Sequence, residues 1–161
     1  MPPPPNLADL LETRVYPAMD EPESRVLRAW MAKHGAEYDE LLFDNRIGPG
    51  VILPDHVPEK DRRDWERRTK ARPDCIAIVK PDRALIIEVK VQATLEAIWQ
   101  VLSYAELYAP AHPQHAVSCA IVAEAATPAA RTLAGMRGVG LYLYTLPAAA
   151  PLAPGEETTA P

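Results

Sequence analysis

The sequence predicts an α/β fold in which a mixed central sheet is flanked by helices. Short, apolar, β-branched segments alternate with longer amphipathic ones, and two of the apolar segments are separated only by the turn Lys80–Arg83. The turn favours an antiparallel hairpin, whereas helical crossovers later in the chain favour parallel pairing. The predicted order of elements is therefore αβ, then ββ, then αβαβ.

The first helix is predicted to begin at Asp20 and to end near Gly35. Asp20 can cap the helix, Pro22 suits a first turn, and acidic residues cluster at the positive end of the helix dipole. Residues 38–47 alternate in polarity and end at Gly48-Pro49-Gly50, so we expect a first strand that leads into a turn.

The centre of the chain is predicted to form the hairpin and the helix that follows it. Residues 74–79 and 84–91 are short and apolar, as buried strands are, and a helix is expected at 95–108 with Thr94 as its cap. The remaining predicted elements are a strand at 117–122, a helix at 128–136 and a strand at 139–144.

Proline-rich segments at both ends suggest the domain boundaries. The chain has 18 prolines, which cannot sustain helix or sheet hydrogen bonds where they cluster. We therefore expect an N-terminal tail and lead-in at 1–19, one domain at 20–146 and a C-terminal tail at 147–161. Between the first strand and the hairpin, 51–72 is read as an insertion whose second half, 59–70, is helical.

The composition excludes several classes of protein. The net charge of −5 argues against binding nucleic acid over the whole surface. No apolar run approaches the roughly 20 residues of a membrane helix, and no signal-peptide pattern is present, so a cytoplasmic protein without membrane contact is expected. The two cysteines, Cys75 and Cys119, lie in apolar segments, which disfavours a disulfide or a zinc site.

Two opposite charges interrupt the apolar strand at 84–91. Side chains alternate along a strand, so Glu88 and Lys90 share one face, and the hairpin can bring the carboxylate of Asp74 beside Glu88. Two adjacent carboxylates form an oxygen site for a divalent cation, and a neighbouring ammonium suits a phosphate. Alternatively, Glu88 and Lys90 form a salt bridge on an edge strand, while Asp74 caps a turn.

This arrangement resembles the PD-(D/E)xK nuclease superfamily. Pro73-Asp74 is followed, after thirteen residues, by Glu88-Val89-Lys90, and the family places these residues on a hairpin followed by a helix. On that helix, Gln100 and Tyr104 are similar to the Gln-x-x-x-Tyr element of RecB-type and NucS-like members. The resemblance implies a restriction-endonuclease-like fold and a Mg²⁺- or Mn²⁺-dependent nuclease.

The resemblance also implies roles for individual residues. Asp74, Glu88 and the backbone carbonyl of Val89 would be metal ligands, Lys90 the catalytic cation, and Gln100 an assisting catalytic residue. Many members also carry an acidic residue on the first helix.

Glu23 is the best-placed residue for that acid, with Glu21 second. An acid at either position is equally explained by the helix dipole. Tyr104 either borders the site or packs against the sheet with neighbouring apolar residues.

The insertion is the basic part of an acidic chain. Its basic side chains are expected to contact DNA phosphates, and Trp65 to stack on a base or a sugar. The alternative is a solvated charged helix that Trp65 anchors to the core. The expected DNA-binding residues are Arg62, Arg63, Arg67, Arg68, Lys70 and Arg72.

Two functional hypotheses follow. The first is a metal-dependent nuclease that hydrolyses DNA phosphodiester bonds in repair, recombination, restriction or phage genome processing. The second is a catalytically weak or inactive nuclease-fold module that binds DNA or assembles into a larger complex. DNA is the expected partner, and a homodimer or a larger protein complex is the expected form of assembly.

Overall fold

The computed structural model describes residues 6–147, so the proline-rich ends at 1–5 and 148–161 lie outside the described residues. Within 6–147 the chain forms five α-helices and one five-stranded sheet. In chain order the elements are α1 (Leu7–Glu12), α2 (Glu21–His34), β1 (Glu40–Leu42), α3 (Glu59–Thr69), β2 (Cys75–Val79), β3 (Arg83–Ala93), α4 (Leu95–Tyr108), β4 (Ala116–Ala126), α5 (Pro128–Arg137) and β5 (Gly140–Leu143).

The strands follow one another in space in their chain order, and β3 lies in the middle of the sheet. Strands β1, β2 and β3 pair antiparallel, whereas β3, β4 and β5 pair parallel through the helical crossovers α4 and α5. The predicted mixed α/β architecture, including the hairpin between β2 and β3, is confirmed.

Helices cover both faces of the sheet. Helices α4 and α5 pack on the face that carries Ile76, Ile86 and Ile121. Helices α1 and α2 pack on the other face, where Trp30 and Ile87 are fully buried. Because helices bury both faces of β3, its sequence is nearly continuously apolar.

The N-terminal segment differs from the expected tail. Residues 7–12 form α1, capped by the side chain of Asn6, and Leu10, Tyr16 and Met19 are buried in the core. The Tyr16 hydroxyl donates a 2.7 Å hydrogen bond to the Leu10 carbonyl. Packing thus begins before residue 20. The sequence does not predict α1, because six residues are too few to show a helical periodicity.

The first strand is shorter than expected. It covers Glu40–Leu42 instead of 38–47, and Asp44 then adopts a left-handed backbone with φ of 52°. A strand cannot continue through that conformation.

Helix α3 lies against the segment that follows β1. The Val51 N–H donates to Thr69 Oγ1 at 2.7 Å, the Arg46 guanidinium donates to the Arg67 carbonyl at 3.1 Å, and Gly50 packs directly on the Glu66 backbone. Two residues beyond the end of α3, Ala71 forms an isolated β-bridge with Ile47.

None of the α3 residues is buried. Trp65 is 46% exposed and belongs to neither core cluster, so it does not anchor α3 to the core. Among the residues that the structure describes, no helix combines the length and hydrophobicity that a membrane crossing requires.

Candidate active site

The hairpin register aligns the two acidic residues. Cys75 pairs with Ile87, so the next pair along this antiparallel ladder is Asp74 with Glu88. Oδ2 of Asp74 accepts a 2.8 Å hydrogen bond from the backbone N–H of Val89, which fixes the carboxylate against β3. The site is therefore built on backbone that belongs to the central strand of the sheet.

Glu88 is almost completely buried, with 1% of its surface exposed. Oε1 lies 2.6 Å from Nζ of Lys90, whereas Oε2 is buried and has no hydrogen-bond partner among the described residues. A buried carboxylate oxygen without a partner is costly, so each such atom in a folded protein calls for an explanation.

The two carboxyl groups perturb each other. Burial, followed by the charge of Asp74, raises the pKa of Glu88 to about 7. Burial also raises the pKa of Asp74, although the Val89 N–H and the charge of Lys90 oppose this shift. Both carboxyl groups thus hold their protons more tightly than in water, and the charge of a cation bound beside them would lower both pKa values.

Lys90 is held between two acids. Its ammonium lies 2.6 Å from Glu88 and 3.9 Å from Oε1 of Glu23. Burial disfavours the charged ammonium, but the hydrogen bond and charge of Glu88, with Asp74 and Glu23, outweigh burial and raise the pKa of Lys90. Lys90 therefore remains a positive charge at the site.

Glu23 performs both of the tasks considered from the sequence. It completes a capping box with Asp20 at the start of α2, and its carboxylate also faces Lys90. Burial raises the pKa of Glu23, against the charge of Lys90. Glu21 instead pairs with Arg14 at 3.1 Å and is exposed.

Gln100 and Tyr104 are joined on the face of α4 that borders the site. Nε2 of Gln100 donates a 2.7 Å hydrogen bond to the Tyr104 hydroxyl. Tyr104 is half-buried against the core under α4, where burial raises its pKa and the charges of Glu88 and Asp74 add to the shift. Tyr104 thus packs against the sheet, and its hydroxyl is near enough to the two carboxylates for their charges to affect its pKa.

The salt-bridge alternative is only partly matched by the geometry. Glu88 and Lys90 do form an ion pair, but β3 is the central strand and not an edge strand. Asp74 does not cap a turn, because its carboxylate accepts the N–H of Val89 on the neighbouring strand.

The donor set fits a hard divalent cation that keeps part of its water shell. Within 6–147 no cluster of three or more His, Cys, Asp or Glu side chains is arranged to hold a metal, which leaves the pair Asp74 and Glu88. Mg²⁺ commonly binds through one or two carboxylates and completes its shell with water and substrate phosphates. The unpartnered Oε2 of Glu88 is the atom that such an ion would satisfy. The Val89 carbonyl remains a predicted ligand.

The six expected DNA-binding residues of the insertion fall into two groups. Arg67 and Arg68 are exposed and have no ion pair within the described part of the chain. The others are paired, as Arg62 with Asp55, Arg63 with Glu59 at 2.8 Å, Lys70 with Glu66 at 3.7 Å and Arg72 with Asp44 at 2.9 Å.

Sequence reasoning missed Asp44 and Arg46. Asp44 accepts from Arg72 and also lies 3.8 Å from Arg46, so one carboxylate holds two arginines beside the start of β2. The charge of Arg72 in turn opposes the rise in the pKa of Asp74 that burial causes. Asp44 and Arg72 are 28 residues apart, and no local pattern in the sequence indicates that they meet.

Comparisons with known proteins give structural matches only. Neither a protein-family model nor a curated protein sequence matches the chain. A repair endonuclease from Pyrococcus abyssi is similar at 15% identity, with a TM-score of 0.48 over 80% of this chain and 49% of that one.

Two structures of EndoMS are similar to about the same degree. The complex with double-stranded DNA has 14% identity and a TM-score of 0.47, over 84% of this chain and 50% of that one. The apo form has 16% identity and a TM-score of 0.44, over 81% and 49%. The chain therefore spans about half the length of the solved structures that it matches.

Proposed function

We propose that this chain is a metal-dependent nuclease that hydrolyses DNA phosphodiester bonds. The observation that carries the proposal is the buried Oε2 of Glu88, which lacks a hydrogen-bond partner and lies on the central strand beside Asp74. A structural ion pair with Lys90 accounts for Oε1 alone. A divalent cation accounts for both the second oxygen and the neighbouring carboxylate.

Asp74 and Glu88 would hold Mg²⁺ or Mn²⁺. When bound there, the cation would polarise the scissile phosphate and acidify a coordinated water. Asp74 contributes a fixed orientation, because the Val89 N–H holds one of its oxygens at 2.8 Å. A ligand held in this way needs little reorganisation when substrate arrives.

Lys90 is the positive charge of the chain nearest to these carboxylates. Its ammonium would stabilise the negative charge that develops on the phosphate during cleavage. Glu23 and Glu88 keep the ammonium protonated and in place. Gln100, oriented by Tyr104, would hold the substrate backbone or order the carboxylates.

The test is cleavage of linear, nicked, branched and single-stranded DNA with Mg²⁺ or Mn²⁺, and with EDTA. We expect metal-dependent cutting that Asp74→Asn and Glu88→Gln abolish. Calorimetric titration with Mn²⁺ gives a readout independent of activity, and both variants should lose binding. Glu106→Gln, an exposed carboxylate on the same domain, is the matched control. Absence of metal-dependent cutting, at protein concentrations well above those of contaminants, would contradict the proposal.

A further inference from the structure

Helix α3 is an exposed helix that the fold nevertheless holds firmly. None of its residues is buried, so hydrophobic packing does not explain its position. Polar contacts fix it instead, through the Arg67 carbonyl to Arg46, Thr69 to the Val51 N–H, and the Glu66 backbone to Gly50. A polar helix that is held in this way has an outer face that is accessible to a ligand.

That outer face combines an aromatic ring with a guanidinium. Trp65 is 46% exposed, and Arg68, three residues later, is also exposed. Residues three apart occupy neighbouring positions on a helix surface, so Trp65 and Arg68 share one face of α3. An exposed indole offers a flat face on which a base can stack, and among the described residues no cation covers the Trp65 ring, whereas Arg137 lies over that of Trp99.

Charge complementarity identifies the class of ligand. Residues 60–72 carry seven basic and three acidic side chains, although the whole chain has a net charge of −5. Arg67 and Arg68 have no ion pair within 6–147, so their donors are available to an anion. A polyanion with aromatic groups matches this surface, and a nucleic-acid strand is such a polyanion.

The exposed indole distinguishes a single strand from a duplex. In a duplex, each base is covered on both faces by its stacked neighbours, so that only base edges, sugars and phosphates are accessible. An indole ring on a protein surface therefore stacks on bases that are unpaired. Arginines alone would serve either kind of strand.

A short segment of chain also connects α3 to the carboxylates. Four residues lie between Thr69 and Asp74, so the two residues are at most about 18 Å apart. Arg72 lies between them, is held by Asp44 at 2.9 Å, and continues the positive charge toward Asp74.

We propose that α3 binds an unpaired stretch of the nucleic-acid strand next to the cleavage site, with Trp65 stacked on a base and Arg67 and Arg68 bound to phosphates. This inference rests on the proposed function, because it assigns a substrate class to the same site. The preferred substrates are then single strands, forks and flaps, and blunt duplexes bind more weakly.

The test is binding of a labelled thymidine oligonucleotide and of a blunt duplex to the full chain, in EDTA and at fixed salt. Trp65→Ala should weaken single-strand binding by roughly 5- to 150-fold, the range found for loss of one base–aromatic stack, and leave duplex binding unchanged. Trp65→Phe should retain most of the affinity. Thermal unfolding checks that each variant is folded.

Trp99 supplies a matched control. It is 48% exposed on α4, and the guanidinium of Arg137 lies 5.0 Å from its ring centroid. Trp99→Ala should leave both affinities unchanged, and the oligonucleotide should quench the fluorescence of Trp65 and not that of Trp99. Arg68→Ala should reduce the salt slope of single-strand binding by about 0.7, the value for one lost phosphate contact.

Equal losses on single strand and duplex in Trp65→Ala would overturn the proposal. Unchanged affinity for both would also overturn it. Because binding in EDTA requires no cutting, this proposal and the proposed nuclease can fail independently. The nuclease is judged from the loss of cutting in Glu88→Gln.

Discussion

The carboxylate of Asp74 is bound to the backbone N–H of Val89, the residue between the buried Glu88 and the ammonium of Lys90. One hydrogen bond of 2.8 Å thus fixes the first acid relative to both neighbouring charges. The three groups belong to two adjacent strands, and their spacing is set by backbone pairing more than by flexible side chains.

Replacing Lys90 should separate cutting from binding. Lys90→Ala and Lys90→Gln remove the charge that stabilises the reacting phosphate, so we expect kcat to fall by about 100-fold or more. The glutamine variant keeps a hydrogen-bond donor near Oε1 of Glu88, which now accepts from Lys90 at 2.6 Å. Cleavage assays measure the loss, and DNA affinity should remain nearly unchanged.

If neither variant alters cutting or affinity, the chain instead matches the second hypothesis, a nuclease-fold module that binds DNA or assembles into a complex. If DNA affinity falls together with cutting in the glutamine variant, Lys90 acts in binding and not in the reaction.

The metal-free protein should lose stability as the pH rises from about 4.5 to about 7. Burial raises the pKa of Glu88 from 4.5 to about 7, so in this range the folded chain holds a proton that the unfolded chain has released. Unfolding then releases a proton, and a higher pH favours it. The loss amounts to at most about 3 kcal/mol and is complete above the folded pKa.

Urea unfolding in EDTA at several pH values measures this loss. Glu88→Gln removes this titrating group and should make the loss with pH smaller, whereas Glu106→Gln should keep it. Mg²⁺ should restore stability at high pH in the parent protein and in Glu106→Gln, but not in Glu88→Gln. A parent profile that is flat, or that rises with pH, would contradict the assigned burial of the carboxylate.

Gln100 and Tyr104 should act as one unit. The Tyr104 hydroxyl accepts from Nε2 of Gln100 at 2.7 Å, so Tyr104→Phe releases the amide that the tyrosine orients. Loss of such a supporting contact commonly costs 10- to 100-fold in activity, and we expect about this loss in Gln100→Ala and Tyr104→Phe alike. In the double variant the losses should not multiply, because both substitutions remove the same contact. Independent, multiplicative losses would show that the two residues act separately.

Glu23→Gln should lower activity without unfolding α2. Glutamine can still complete the capping box with Asp20, but it removes the charge that lies 3.9 Å from Lys90. For a partly exposed pair we expect about a two- to fivefold loss in kcat/KM. Glu21→Gln is the matched control, since Glu21 pairs with Arg14. A similar loss in both variants would point to the helix dipole instead of the site.

The elements that the sequence predicts well are those with strong local patterns. Helix α4 has the predicted bounds, Leu95–Tyr108, because its apolar spacing and the following Pro110 are both local. Its cap is less well predicted. The Thr94 side chain makes no capping hydrogen bond, and only its carbonyl accepts the N–H of Ile98 at 3.3 Å.

Contacts between distant segments could not be predicted in the same way. The position of α3 depends on its hydrogen bonds with Arg46 and Val51. The ion pair between Asp44 and Arg72 depends on the pairing of β1 with β2. The proximity of Asp74 to Glu88 was predictable because a hairpin register extends over neighbouring residues. The approach of Glu23 to Lys90 required the packing of α2 on the sheet.

Gly50 allows α3 to pack closely against the segment that follows β1, at a contact that does not include the carboxylates. A methyl group at position 50 would lie 1.9 Å from the carbonyl oxygen of Glu66, so any larger residue forces the helix outward. The strands that carry Asp74 and Glu88 are not part of this contact. A substitution at this single loop position would therefore displace α3 from its present contact and leave the pairing of Asp74 with Glu88 as it is.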